Sequence, residues 1–498
     1  MITIYNPPLP QDINFASHWQ QTFGSATSLA LANAAANSEG PLLLICQDNE
    51  SVEQFKRELR YFCGKLPNRA DPLQVFSLPD WETLPYDNFS PHQDIVSDRL
   101  SALYHLPDLQ QGILVTSIGS LMHKLPPKKY IRSNSLDLVV GQQLSIQGMR
   151  AQLVDAGYQY VDSVFEHGEF AVRGSILDIY PMGSRFPYRI DLLDDEIETL
   201  RIFNPETQRS DQRIDQIRLL PGREYPLDAR GITAFRSNFR EKFDIDLRQC
   251  PLYQDVSDGI SSPGLEYYLA LFYKRLDSLF DFLPANTTCC KIGDLAGAGQ
   301  SFWQDISRRH EDRQIDHYRP ILPPADIFLT IDTVLADLKQ FKQISFTTGS
   351  TAVSLLSLPL PQLSSDAKLK TPFAAVEQFI EQNPEQRIVF CAESAGRRET
   401  LLEVLKQLQI NPEQFEHLQD FVDSTSSCGI IVAPLDQGLW LEDKKLLLIT
   451  EAQLFGNRIA QRRRRNKKQS DTDFIVKSLT ELSIGDAVVH LDHGVGRY

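Results

Sequence analysis

An arginine on an alternating strand can serve as a recognition device, and this sequence offers one. In Tyr188-Arg189-Ile190-Asp191-Leu192-Leu193 the two-residue period places Arg189, Asp191 and Leu193 on one face and Tyr188, Ile190 and Leu192 on the other. The second set makes the hydrophobic face. Arg189 is then expected to point outward, where a guanidinium can fork onto a partner's carboxylate, and an exposed Leu193 can fill an apolar pocket. The competing reading pairs Arg189 with Asp191, Asp194 or Glu196 on its own surface. A second cationic feature, Arg462-Arg463-Arg464-Arg465-Asn466-Lys467-Lys468, concentrates six positive charges in seven positions. It reads either as a solvated linker or helix face, or as a contact for DNA or another polyanion. Arg397 and Arg398, at the start of a helical pattern, read equally as ligand-binding or as surface. Phosphate chemistry lacks its usual signal. A phosphate-binding loop needs Gly-x-x-x-x-Gly-Lys followed by Ser or Thr, so that backbone amides wrap the phosphates, lysine meets their charge and the hydroxyl holds magnesium. No Gly-Lys-Ser or Gly-Lys-Thr occurs in the chain, and Gly64-Lys65 runs into Leu66 without the upstream glycine. His490 and His493 have no third ligand beside them, so no metal site is expected. Cys46, Cys63, Cys250, Cys289, Cys290, Cys391 and Cys428 form no CxxC pair and are odd in number, which points to small buried hydrophobes instead of a disulfide framework or zinc ribbon.

The elements that must position these groups are legible as patterns. At 498 residues the chain should hold roughly three to five domains. Its net charge of -15 argues against a surface that grips phosphate backbones throughout. No apolar run approaches the ~20 residues that cross a bilayer, and the amino terminus lacks a signal peptide's basic start and apolar core, so a cytoplasmic protein without membrane contact is expected. From residue 41, apolar strands (Leu42 to Cys46, Val75 to Leu78, Ile113 to Thr116) alternate with amphipathic helices, the pattern of a parallel α/β sheet. A β-rich stretch interrupts it from about 135 to 221, and helical and strand signals then resume, including Leu265 to Phe282 and Thr288 to Ile292. Residues 345–370, rich in Ser, Thr and Pro, read as a linker. After them Thr371-Pro372 should cap a helix whose apolar face is Phe373, Val376, Phe379 and Ile380. Strands at Ile388 to Cys391, Gly429 to Val432 and Leu446 to Ile449 predict a second, smaller α/β domain. The final strand pattern, Ile484 to His490, has nothing left to pair with, so the chain reads as cut from something longer.

The stretch Phe165-Glu166-His167-Gly168-Glu169-Phe170-Ala171-Val172-Arg173-Gly174, continuing through Pro181-Met182-Gly183-Ser184 to Glu196, resembles the UvrA-binding domain that excision-repair UvrB proteins share with the bacterial transcription-repair coupling factors, the Mfd family. Further collinear strings carry the resemblance along the chain: Leu78-Pro79-Asp80-Trp81-Glu82-Thr83-Leu84-Pro85-Tyr86-Asp87, Phe282-Leu283-Pro284-Ala285-Asn286-Thr287, Glu393-Ser394-Ala395-Gly396-Arg397-Arg398-Glu399, and Val488-Val489-His490-Leu491-Asp492-His493-Gly494-Val495-Gly496-Arg497-Tyr498. The fold it implies is multidomain α/β. A UvrB-like degenerate RecA-type parallel-sheet body (1–134 and 222–344) holds an inserted antiparallel β-rich UvrA-binding domain (135–221). A linker (345–370), a small α/β domain (371–457), a basic linker (458–480) and the start of a small RNA-polymerase-interacting β-barrel (481–498) follow.

The function it implies is recruitment of UvrA to a stalled RNA polymerase, with Arg173, Arg189 and Leu193 at the positions that meet UvrA. Leu193 departs from the aromatic residue of better-known members. The UvrB phosphate loop corresponds here to Gly24, Ser25, Ala26, Thr27 and Ser28, with Thr27 in the lysine position, and the strand-end acids to Gly293 and Asp294, the first acid having become glycine. Thr450-Glu451-Ala452-Gln453 echoes a strand-end acid without a partner loop. The resemblance therefore implies no catalysis and no cofactor in this stretch, ATP and Mg belonging to a motor beyond Tyr498, which would also make most of the contact with DNA. UvrB's long aromatic hairpin is missing between Pro91 and Asp94. A divergent UvrB-like ATPase and a DNA-binding fragment working through residues 462–468 remain the rival readings.

Overall fold

The computed structural model describes residues 2–20, 22–67, 69–316, 318–347, 352–364, 373–455, 487–490 and 494–497. Met1–Leu454 make one compact unit and Phe455–Tyr498 another. The first sheet takes β1 (Ser17–Gln20), β2 (Leu42–Cys46), β3 (Val75–Leu78) and β4 (Ile113–Ser117) from the start of the chain and two late strands, β13 (Thr288–Ile292) and β14 (Lys342–Thr347). Their order is β1-β14-β13-β2-β4-β3, with every pairing parallel. β2 and β4 are buried at every position, as strands covered on both faces must be. The covering helices include α1 (Ala26–Asn37), whose alanines let it lie deep against the sheet, and α2 (Asn49–Gly64), which buries Val52, Phe55, Leu59 and Phe62 and is capped by Asp48 accepting from the Ser51 amide at 2.7 Å.

Between β4 and β13 the chain leaves the sheet to build a six-stranded sheet in the order β11-β10-β9-β8-β7-β6. Its strands are β6 (Gln159–Tyr160), β7 (Glu169–Arg173), β8 (Ile176–Ile179), β9 (Tyr188–Leu193), β10 (Glu196–Phe203) and β11 (Ser210–Ile214). They are antiparallel except for the β6–β7 pair. A separate ribbon pairs β12 (Gln216–Leu219) with β5 (Leu136–Val139). One face of the large sheet, through Phe170, Leu177, Ile179, Ile190, Leu192, Ile197 and Leu200, joins the same apolar core as the first sheet.

The strings Glu166 to Glu169 and Pro181 to Ser184 have a structural job. They seat this sheet on α3 (Gln93–His105): His167 Nδ1 lies 2.6 Å from Asp94 Oδ1, and the Gly183 amide donates to Ser97 Oγ at 2.8 Å. Where the chain returns, the wholly buried Arg99 of α3 donates through Nε to Glu224 Oε1 at 2.5 Å and through Nη1 to Pro79 O at 2.8 Å. Beyond Glu224 lies an aromatic lobe packed around Tyr225, Phe235, Phe239, Tyr253, Tyr267 and Phe272. Here the expected run from Leu265 to Phe282 is two short pieces, a 3-10 turn at Leu265–Leu271 and one helical turn at Leu279–Phe282. Tyr268 leaves helical geometry (φ -111°, ψ 15°), and Ser278 with Asp281 caps a fresh start.

A second sheet has the order β16-β17-β15-β19-β18. It consists of β15 (Arg387–Ala392), β16 (Glu413–Gln414), β17 (Cys428–Val432), β18 (Leu439–Leu441) and β19 (Leu446–Thr450), with only β18 antiparallel to its neighbour. One expectation is corrected here. Residues 345–347, assigned to a linker, are the end of β14. The segment around Val353 and Ser357 then stitches the sheets edge to edge. Val353 exchanges backbone hydrogen bonds with His18 and Gln20 beside β1, at 2.8 Å each, while Leu358 donates to Trp440 O at 2.9 Å and Glu442 donates to Leu356 O at 3.0 Å beside β18. The second α/β element packs closely on the first sheet's body, with Val389, Leu418, Phe421, Ile431, Leu439 and Leu448 in one apolar cluster with Leu29, Leu44, Leu59 and Phe62. Thr371 and Pro372 lie outside the described residues; the helix that follows them is Ala374–Gln382, with Val376 buried. In the second unit β20 (Ala487–His490) pairs antiparallel with β21 (Gly494–Arg497), so the strand read as unpartnered has a mate in the next few residues.

Candidate protein-recognition site

The face of the inserted sheet turned away from the main core carries a small apolar cluster of Val164, Ala171, Tyr180 and Phe203, with charged groups set among it. Register decides the grouping. Asp178 on β8 stands opposite Ala171 on β7 and Arg189 on β9, and Arg189 stands opposite Arg201 on β10. Asp178 is fully buried. Its carboxylate receives Arg189 Nε at 2.7 Å and Nη2 at 2.9 Å, and it also accepts from Arg173 Nη2. Arg189 Nη1 donates to Gln208 O at 3.2 Å and to Ser210 Oγ at 3.1 Å, and its guanidinium lies 5.1 Å from the Phe203 ring centroid. The hydrogen bonds to Asp178 hold Arg189 even more firmly protonated than usual.

The expectation that Arg189 stands free to fork outward is thus corrected, and so is the alternative that pairs it with Asp191, Asp194 or Glu196. Its fork is closed on Asp178, and Asp191 is engaged by Thr199 and Arg201. Arg173 is about half exposed, and Leu193, at 63 % exposure, stands clear at the end of β9. Sequence reasoning missed Asp178. The signal was present: a carboxylate inside Ile176-Leu177-Asp178-Ile179 has to find cations once that strand is buried.

The residues expected at a phosphate loop follow β1 at the carboxyl edge of the parallel sheet, Gly24 and Ser25 just before α1 and Ala26, Thr27 and Ser28 in its first turn. Gly24 has φ +58°, and the Ser25 amide donates at 2.9 Å to the carbonyl of Gly438, which also lies 3.3 Å from Ser25 Oγ. The head of α1 therefore receives a backbone carbonyl from the loop between β17 and β18. Ala26 is buried; Thr27 shares a 2.6 Å hydrogen bond with Thr22; and Ser28 donates to the buried Glu58 at 2.5 Å. Burial pushes the Glu58 carboxyl above its usual range. Gly293 has φ +78° beside Gln47, and Asp294 accepts from the Gly297 amide at 3.0 Å as the N-cap of the helix Leu295–Arg313.

Glu451, read as a strand-end acid without a partner loop, is paired with an arginine in the first turn of the helix Ala395–Gln407. Arg397 donates through Nε to Glu451 Oε2 at 2.8 Å and through Nη2 to Oε1 at 2.5 Å, while Arg398 pairs with Glu399. Gln453 holds the plugging loop, its Oε1 accepting from the amides of Gly438 at 3.1 Å and Thr450 at 3.0 Å. Arg462, Arg463, Arg464, Arg465, Lys467, Lys468 and His493 lie outside the described residues.

Comparison with known proteins agrees with this architecture. Residues 136–225 match the family model of the UvrB interaction domain, and residues 379–454 that of the MFD D3 domain. The chain is thus an α/β protein built around a UvrB interaction domain. It is 39% identical over 99% of its length to the transcription-repair-coupling factor of Haemophilus influenzae and 39% identical over 95% to that of Escherichia coli K12, and it is 25% identical over 95% to that of Bacillus subtilis. The chain spans about two fifths, 41 to 43%, of the length of these relatives. Among the described residues no helix is long and apolar enough to cross a membrane.

Proposed function

We propose that this chain acts in transcription-repair coupling by protein recognition, presenting its inserted sheet to UvrA so that the excision machinery is recruited to a stalled RNA polymerase. The observation that carries the reading is the exposed guanidinium of Arg173 on that sheet, held by Asp178 and accompanied on the same face by the exposed Leu193. A planar cation beside an apolar side chain suits a carboxylate-bearing protein surface. The parallel-sheet body serves as a catalytically silent scaffold. In support, the amide and hydroxyl of Ser25 meet the Gly438 carbonyl, Asp294 caps a helix, and no lysine is available in the loop to meet triphosphate charge. Engagement of RNA polymerase and DNA, and any use of ATP and Mg, fall to parts of such a protein beyond this stretch, and the setting is the cytoplasm.

The test is titration of UvrA with the chain and with its Arg173→Glu variant, with and without ATP. Binding that is independent of nucleotide and lost in the variant supports the reading. Equal binding by both proteins, or ATP hydrolysis that depends on Asp294, overturns it.

A further inference from the structure

Asp178 is the one fully buried carboxylate on the recognition face, and three guanidinium donors converge on it: Nε and Nη2 of Arg189 and Nη2 of Arg173. The two arginines contribute differently. With Nη1 of Arg189 also spent on Gln208 O and Ser210 Oγ, four of the five N–H groups of that guanidinium are engaged within the chain. Arg173 is engaged through Nη2 alone among the described residues, and its side chain is about half exposed. Without Asp178, Arg173 and Arg189 would repel one another, and the long side chain of Arg173 would sample its rotamers freely.

We propose that Asp178 is a positioning residue for partner recognition: gripped by Arg189 from β9, it fixes the guanidinium of Arg173 in one orientation toward a carboxylate on the partner, and Arg189 supports it. The proposal rests on the reading given under Proposed function and deepens it. It assigns the contact to Arg173, its orientation to Asp178, and the stiffness of Asp178 to Arg189.

The experiment is a double-mutant cycle on UvrA affinity with four proteins: parent, Asp178→Asn, Arg173→Ala and the double variant. The asparagine keeps the size of the side chain and removes its charge. Asp178→Asn should weaken binding about 10-fold, the worth of one charge-assisted hydrogen bond, and should add nothing once Arg173 is alanine. Combined with Leu193→Ala, its effect should instead add to that of the second substitution. A purely structural role would lower affinity equally with and without Arg173, so additivity between positions 178 and 173 overturns the proposal, as does unchanged affinity of Asp178→Asn. If the thermal transition shows that Asp178→Asn fails to fold, Arg189→Lys carries the same cycle, since it keeps the cation and loses the fork. Should Arg173→Ala itself bind normally, the contact reading and this proposal both fall. Should Arg173→Ala lose affinity while Asp178→Asn keeps it, only this proposal falls.

Discussion

Replacing Gly24 by alanine asks whether the turn ahead of α1 is a joint within the protein. Gly24 sits at φ +58°, which costs an L side chain about 1–2 kcal/mol. A Cβ built there would lie 2.1 Å from the Gly438 carbonyl oxygen and 2.9 Å from Leu360 Cδ1. The first is a contact with backbone, so the β17–β18 loop has to move off. That breaks the 2.9 Å hydrogen bond from the Ser25 amide and the 3.3 Å contact of its hydroxyl, at about 1 kcal/mol for each bond lost. The expected loss is about 3 kcal/mol, measured as a lower urea midpoint, with faster hydrogen exchange at the Ser25 amide. Gly396→Ala is the control, since nothing lies within 4 Å of its Cβ and it sits inside the helix Ala395–Gln407. It should be neutral or stabilising by up to about 1 kcal/mol. An alanine at position 24 with unchanged midpoint and unchanged Ser25 exchange would refute the idea that this loop is a joint.

The same contact predicts that restoring phosphate-loop residues, Ala26→Gly with Thr27→Lys, confers no affinity in a titration with a fluorescent ATP analogue, because the Gly438 carbonyl still takes the Ser25 amide; micromolar binding would contradict it. Asp294→Ala should lower stability by about 1 kcal/mol, the usual worth of an N-cap, in a urea titration. Removing one partner of the buried pair, Glu224→Ala, should cost about 3–5 kcal/mol, whereas replacing Arg99 and Glu224 together by leucine and methionine should cost less than the single change. Burial raises the Glu266 carboxyl to about 7. The folded chain therefore keeps a proton that the unfolded chain releases near pH 4.3, so stability falls as pH rises from about 4.3 to about 7 and is level above. Glu266→Gln should abolish that component and be more stable than the parent at pH 8 by up to about 3 kcal/mol, with a smaller gain at pH 5; equal gains at both would rule out Glu266 as the source.

The buried strands were readable because a run such as Leu42-Leu43-Leu44-Ile45-Cys46 has no polar residue to offer water, and the inserted sheet because its alternation is broken only by turn residues. The resemblance located the inserted sheet, but the true partner of Arg189 escaped, since Asp178 lies eleven residues away on the neighbouring strand and meets it only through register. The stitch at Val353 and Ser357 escaped for a related reason. A strand reduced to single bridges has no period, and its Ser- and Pro-rich composition matches that of a true linker. Gly438 offered least of all, because a backbone carbonyl that docks onto a distant helix leaves no trace in side-chain type.

The seam between the two sheets bears on where this polypeptide can be divided for expression. Cutting near residue 350 looks safe from composition, yet it would take Val353 away from the edge of β1 and uncover Leu439 and Leu448 on one piece and Leu29 and Phe62 on the other. The bared strand is a ready template for sticking to its neighbours and the uncovered leucines add to it, so fragments ending there should precipitate where one running through Leu454 stays in solution.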